Sequence, residues 1–241
     1  MGLIFFGLLF MKKLQIAIDG PIGSGKSTVA REISRRLGIF MIDAGAIYRT
    51  AAYIGLRDGL GPDQAREIAG RLKKAKFIER EPEGVETDGR KVTVTMDGKD
   101  ISGDIRGHII DDLVAKIAVH REIIEAVHEK ERNLASRQDV VIEGREIGTM
   151  VLPNAQVKVY LTADVHERAK RRFAEYEAKG DKTPHSEIVR ALKERDELDM
   201  KRVYAPLRKA EDAVLIDTTN KTVDEAAEEI LKLIPAEFVS G

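Results

Sequence analysis

Gly20, Gly25, Lys26 and Ser27 stand at the spacing G-x-x-x-x-G-K-[ST], and no other pattern constrains this chain as tightly. Ile16, Ala17 and Ile18 just before it read as a short buried strand. Val29, Ile33 and Leu37 just after it share one face of a helix. Glycines let the connecting loop wrap until its backbone N–H groups point inward at phosphate oxygens. The helix N-terminus adds free N–H groups and the positive end of its dipole. Lys26 can reach the outer phosphates, and the Ser27 hydroxyl suits a Mg²⁺ bridging them. The pattern predicts a nucleoside-triphosphate site on Gly20, Pro21, Ile22, Gly23, Ser24, Gly25, Lys26, Ser27 and Thr28.

With 241 residues, the chain suits one α/β domain with insertions. Forty Lys and Arg against 41 Asp and Glu leave a net charge of −1, so no global charge points to nucleic acid or a membrane surface. The absence of cysteine excludes disulfides, thiolate metal sites and a cysteine nucleophile. Residues 1–10 form an apolar tail ahead of Met11-Lys12-Lys13. The tail is too short to span a bilayer, and its positive charge follows the apolar run where a signal peptide places it before. Met11 is expected to be the functional start, or the tail an accessory flap, on a cytoplasmic protein.

Along the chain, a second short strand is expected at residues 39–42, ending in Asp43-Ala-Gly-Ala-Ile-Tyr-Arg49. Side chains just past a strand's carboxyl end sit where open α/β sheets bind ligands. Helices are expected at residues 46–58 and 62–75. Residues 76–103 read as a small antiparallel meander, with a strand at residues 91–96 between turn signals at Asp88-Gly89 and Asp97-Gly98. Two helices are expected within residues 106–136, then strands at 140–142 and 157–161. Next come a charged helix at 165–179, a polar link, a helix at 186–201, a strand at 213–216 and a helix at 223–233. The expected fold is a parallel five-stranded sheet flanked by helices, with the meander after the second strand and a short lid, about residues 165–185, after the fourth.

Chemistry outside the loop narrows the class. A guanine-reading Asn-Lys-x-Asp is missing, since Asn220-Lys221 runs into Thr and Val. Phosphoryl transfer between two nucleotides gathers negative charge, and the chain supplies Arg168 and Arg172 on one helix face and Arg195 and Arg202 on another. Arg49 and Arg145 each follow a core strand. Glu143 closes an apolar strand, a position suited to holding Mg²⁺ directly or through water. Histidines 108, 120, 128, 166 and 185 show no ligand spacing and read as surface or helix residues.

Several motifs in one order resemble a single family, the bacterial-type cytidylate kinases, which phosphorylate CMP and dCMP with ATP. The resemblance runs from about Leu14 to Ile234. It rests on the loop motif, Asp43-Ala-Gly-Ala-Ile-Tyr-Arg49, Asp100-Ile-Ser-Gly-Asp-Ile-Arg106, Glu143-Gly-Arg-Glu-Ile-Gly-Thr149, and Arg195-Asp-Glu-Leu-Asp-Met-Lys-Arg202 with Ala205-Pro-Leu207. It implies ATP on residues 20–28 with Arg168, and the acceptor nucleotide on Asp43, Tyr48, Arg49, Arg145, Glu146, Arg195, Asp199 and Arg202. Lys26, Arg172 and Arg195 would stabilise the migrating charge, and Ser27 and Glu143 would serve Mg²⁺. The meander corresponds to an enlarged acceptor subdomain, about residues 44–112, within a single domain of residues 11–241.

The chain departs from the family's pattern at three positions, the first two of which the resemblance ties to reading the pyrimidine. Ala44 stands where the family usually has Ser, Glu146 where it has Asp, and Ile124 where it has Arg, with Arg121 nearby. The resemblance implies a monomeric kinase with ATP, CMP and dCMP as small-molecule partners and neither nucleic acid nor membrane. UMP or AMP as the acceptor, or an NTPase module lacking one, are the rival expectations.

Overall fold

The computed structural model describes residues 13–80, 82–86, 92–178, 180 and 182–238. The apolar tail, the Asp88-Gly89 turn, the start of the meander strand at Lys91, the helix end at Lys179 and part of the polar link lie outside them.

Five strands make the expected parallel sheet: β1 (Gln15–Asp19), β2 (Phe40–Asp43), β6 (Val140–Gly144), β7 (Val157–Thr162) and β8 (Val214–Asp217), in the order β2-β6-β1-β7-β8. Successive side chains of a strand point to opposite faces, and the sequence uses both. Ile16 and Ile18 of β1 and Val141 of β6 pack beneath α1 (Lys26–Leu37) and α8 (Val223–Leu231). Ala17, Val140 and Ile142 face the other way, toward α2 (Ala44–Asp58), α3 (Ala65–Lys74) and α5 (Arg121–Ala135). This double burial explains why the strands read as continuous apolar runs without alternation.

Between β2 and β6 the chain leaves the sheet. It forms α2, α3, an antiparallel sheet of β3 (Phe77–Arg80), β4 (Thr93–Met96) and β5 (Lys99–Asp100), then α4 (His108–Ile117) and α5. Asp97 and Gly98 join β4 to β5 with φ of 53° and 85°, the paired positive values of a type I′ turn. Between β7 and β8 lie α6 (Val165–Glu177) and α7 (His185–Met200). They close on a small apolar cluster of their own, Ala169, Ile188 and Leu192, with Ile22 from the glycine loop packed against it.

Several boundaries move. The second helix begins at Ala44, two residues early, because the Asp43 carboxylate accepts from the Ala46 N–H and caps it. Residues 62–64 form a 3₁₀ turn ahead of α3. Strand β8 ends at Asp217 and helix α8 at Leu231.

Candidate active site

The carboxyl ends of β2 and β6 and the loop after β1 open on a cleft that also runs along α1 to Lys13 and Asp139 at the sheet's amino edge, about 1970 Å³ in all.

At one end lies the glycine loop between β1 and α1. A Cβ on Gly20 would sit 2.0 Å from the Leu161 carbonyl oxygen, so no larger residue fits where the loop crosses β7. Gly25, at φ 90°, takes the left-handed conformation that turns the chain into α1. Ile22, Gly23, Gly25, Lys26, Ser27 and Thr28 line the cleft, while Gly20, Pro21 and Ser24 are buried under them. The Lys26 ammonium is buried and donates to the Pro21 carbonyl at 2.8 Å. Burial first, and then Arg145, lower its pKa to about 7 against the pull of Glu143, Asp19 and Asp199. Ser27 Oγ donates to Glu143 Oε1 at 2.7 Å, bringing together the hydroxyl and carboxylate that the sequence paired across 116 residues. Two hard oxygen donors side by side fit a magnesium ion.

Arg168 meets a different set of partners from those its helix-face spacing suggests. Its Nε donates to the Ala163 carbonyl at 3.0 Å. One terminal nitrogen donates to the Ile22 carbonyl at 2.9 Å and to Asp196 at 2.7 Å. Arg168 thus straps α6 to the glycine loop and to α7 while still lining the cleft. Arg171, which sequence reasoning left out of the site, lines it too and is tied to Thr218. Arg172 lines the cleft with its guanidinium over the Tyr176 ring, 5.1 Å from the centroid.

The other end of the cleft is cationic. Arg145, Arg195 and Arg202 converge on Asp199, at 2.9, 3.3 and 2.7 Å. Asp199 is 0% exposed and sits behind the three arginines that line the cleft. Its carboxylate is the hub that lets three like charges stand together. Arg49 pairs with Asp43 at 3.1 Å, and the Asp43 backbone N–H donates to buried Glu79 at 3.1 Å. Burial, with Asp43 close by, pushes the Glu79 carboxyl well above the usual range.

Glu146 is buried and meets His128 Nε2 at 3.0 Å. His128 is therefore a helix residue of the interior, facing the site. Ala44 and Ile124 are buried apolar positions. Arg121 pairs with Glu125 at 2.7 Å, stacks over Tyr204 and is not among the described residues lining the cleft.

Asp19, Glu79 and Glu131 are buried acids beside the site that sequence reasoning did not single out. Asp19 accepts from the Ile147 and Gly148 N–H groups, both at 2.7 Å, and so anchors the π-helical turn Ile147–Val151 that follows Glu146. Burial raises its pKa to about 6. For Asp19 the available signal was a charged residue ending an apolar strand.

Known proteins resemble this chain over nearly its whole length. A family model described as cytidylate kinase matches residues 16–236. A curated cytidylate kinase of Bacillus licheniformis is 40% identical over 224 residues, covering 92% of this chain and 96% of that protein. One from Caldicellulosiruptor bescii is 38% identical over 223 residues, with the same coverage. The crystal structure of an uncharacterized protein from Eubacterium ventriosum superimposes with a TM-score of 0.51 at 17% identity, covering 92% of this chain and 98% of that one, a likeness of fold alone.

Proposed function

This chain belongs to the cytidylate kinase family, and we propose that it transfers the γ-phosphoryl group of ATP to CMP and dCMP, giving ADP with CDP or dCDP. The observation that carries the proposal is the placement of a phosphate-cradling loop and a three-arginine cluster on one cleft. An NTPase without an acceptor has no use for the second cationic end.

In the proposed mechanism, residues 20–28 hold the ATP phosphates. Arg145, Arg195 and Arg202, with Arg49, Asp43 and Tyr48, hold the acceptor, and Glu146 meets its base. An oxygen of the acceptor phosphate attacks the γ-phosphorus as the bond to the bridging oxygen of ADP breaks. No covalent enzyme intermediate forms. Little covalent chemistry falls to the protein, so its work is alignment and charge stabilisation by Lys26, Arg172 and Arg195. Residues 165–185 act as the lid that excludes water, which otherwise competes for the phosphoryl group.

Ser27 and Glu143 would hold magnesium, Glu143 directly or through water, and the ion would supply positive charge that offsets that of the triphosphate. Glu143→Gln keeps the size of the side chain and removes its charge. Its expected result is a rise of about tenfold in the magnesium concentration for half-maximal rate, with the thermal midpoint little changed. An unaltered magnesium titration would remove Glu143 from the metal site.

The enzyme is proposed to be a cytoplasmic monomer whose partners are nucleotides. Among the described residues, no helix is long and apolar enough to cross a membrane. The deciding assay follows ADP formation from ATP and magnesium with CMP, dCMP, UMP, AMP, GMP or no acceptor. CMP and dCMP are expected to lead. Equal use of UMP or AMP would overturn the acceptor assignment, and acceptor-independent hydrolysis would overturn the kinase reading.

A further inference from the structure

At the acceptor end of the cleft, Glu131 of α5 is 1% exposed, and neither of its carboxyl oxygens has a hydrogen-bond partner among the described residues. Buried polar groups are almost always paired, and a carboxyl with both oxygens unpaired is costly to keep. Glu131 lines the cleft with Tyr48, Glu146 and Arg202. The Tyr48 hydroxyl is likewise buried and unpaired. Glu146 is different: His128 engages its Oε1 at 3.0 Å, and no hydrogen bond to its other oxygen is found among the described residues.

The two carboxyls meet different surroundings. Burial, reinforced by nearby Glu146 and Asp19, pushes the Glu131 pKa well above the ordinary carboxylate range, which favours its protonated form. A neutral carboxyl donates as well as accepts, whereas an ionised one only accepts. The acceptor end of the cleft thus holds two buried carboxyls, and the unpaired Glu131 is suited to donate.

We propose that Glu131 is a base-recognition residue, donating a hydrogen bond to the cytosine ring nitrogen N3 while the free oxygen of Glu146 accepts from the adjacent exocyclic amino group. This rests on the CMP reading above and deepens it. Cytosine presents a donor (the amino group) beside an acceptor (N3). Uracil presents the reverse, a carbonyl oxygen beside an N–H. An accepting carboxylate next to a donating acid therefore pairs with one edge and opposes the other. The arrangement supplies base discrimination to a chain that has Ala44 and Ile124 where its family resemblance leads one to expect Ser and Arg. His128 acts as a positioning residue that fixes which Glu146 oxygen faces the base.

The test measures kcat/KM for CMP and UMP with wild type, Glu131→Gln and Glu131→Met, alongside 3-deaza-CMP, which lacks the N3 acceptor, on wild type. Wild type is expected to use 3-deaza-CMP about tenfold or more below CMP, the loss coming mainly through KM. Glu131→Met is expected to lose a similar factor with CMP, to lose little with UMP and to treat 3-deaza-CMP and CMP alike. Glu131→Gln retains an N–H donor and is expected to keep most of the CMP preference. Equal use of 3-deaza-CMP and CMP by wild type overturns the proposal even if the methionine variant does not fold. So does an unchanged CMP-to-UMP ratio in Glu131→Met. Wild type that ignores CMP altogether overturns the acceptor assignment itself.

Discussion

Lys26→Met is expected to lower kcat by about three orders of magnitude with the fold intact, measured as ADP formation at saturating nucleotides. Lys26 is the charge nearest the phosphates on the proposed reading, and no second lysine lies in the loop. In the ligand-free chain its ammonium is buried against the Pro21 carbonyl with a pKa of about 7. Near that pH it is about half neutral, because burial and Arg145 outweigh the nearby carboxylates. Bound polyphosphate reverses the balance and draws the proton back. ATP binding just above pH 7 is therefore expected to take up protons at Lys26. Calorimetry in two buffers of different ionisation enthalpy reads that uptake, and the methionine variant should show correspondingly less. Methionine keeps the length of the stem and removes the cost of burying a charge, so the thermal midpoint should hold or rise. A variant within tenfold of wild-type turnover would show that Lys26 is not the charge stabiliser.

Asp199→Asn is expected to damage stability and acceptor use together. Its carboxylate stands within 3.3 Å of Arg145, Arg195 and Arg202 and is out of contact with water. Neutralising it leaves three guanidinium groups facing one another, and breaking a buried pair in this way costs about 3–5 kcal/mol. In a chain of this size that lowers the thermal midpoint by on the order of 10 °C. The arginines also splay, so kcat/KM for CMP should fall by about a hundredfold while the affinity for ATP changes little. CMP, whose phosphate can take the place of the missing charge, should restore part of the lost midpoint. If both the midpoint and kcat/KM were unchanged, Asp199 would not be the hub of the acceptor site.

Legibility along this chain followed how local each constraint is. The glycine loop could be read because its demands are met within residues 15–28: a buried strand, backbone angles suited to glycine, and a helix start. Asp43-Arg49 and Glu143-Arg145 could be read because a charged residue ending an apolar strand lands on the sheet's carboxyl edge whatever the rest does. Arg168 shows where spacing stops being enough. Its place on a helix face with Arg172 was correct, yet its partners are the Ile22 carbonyl and Asp196, which no helical periodicity could name. His128 and Glu131 carried a faint signal, since with Ile124, Val127 and Ala135 they fall on the buried stripe of α5. In sequence they sit among Glu129, Lys130 and Arg132 and look like part of a solvated charged helix.

By itself the sequence determined the five-stranded parallel sheet, the phosphate-cradling loop and the family to which the chain belongs. These depend on apolar runs, glycine placement and short motifs, each specified by neighbours along the chain. Only the tertiary structure decided which charges are buried and what they meet: Asp199 beneath three arginines, Asp19 under the turn after Glu146, Glu131 unpaired beside the cleft. A carboxylate in water and one in the interior are spelled with the same letter. Which it becomes depends on how separate elements pack, and that packing sets its desolvation, its protonation and its partner.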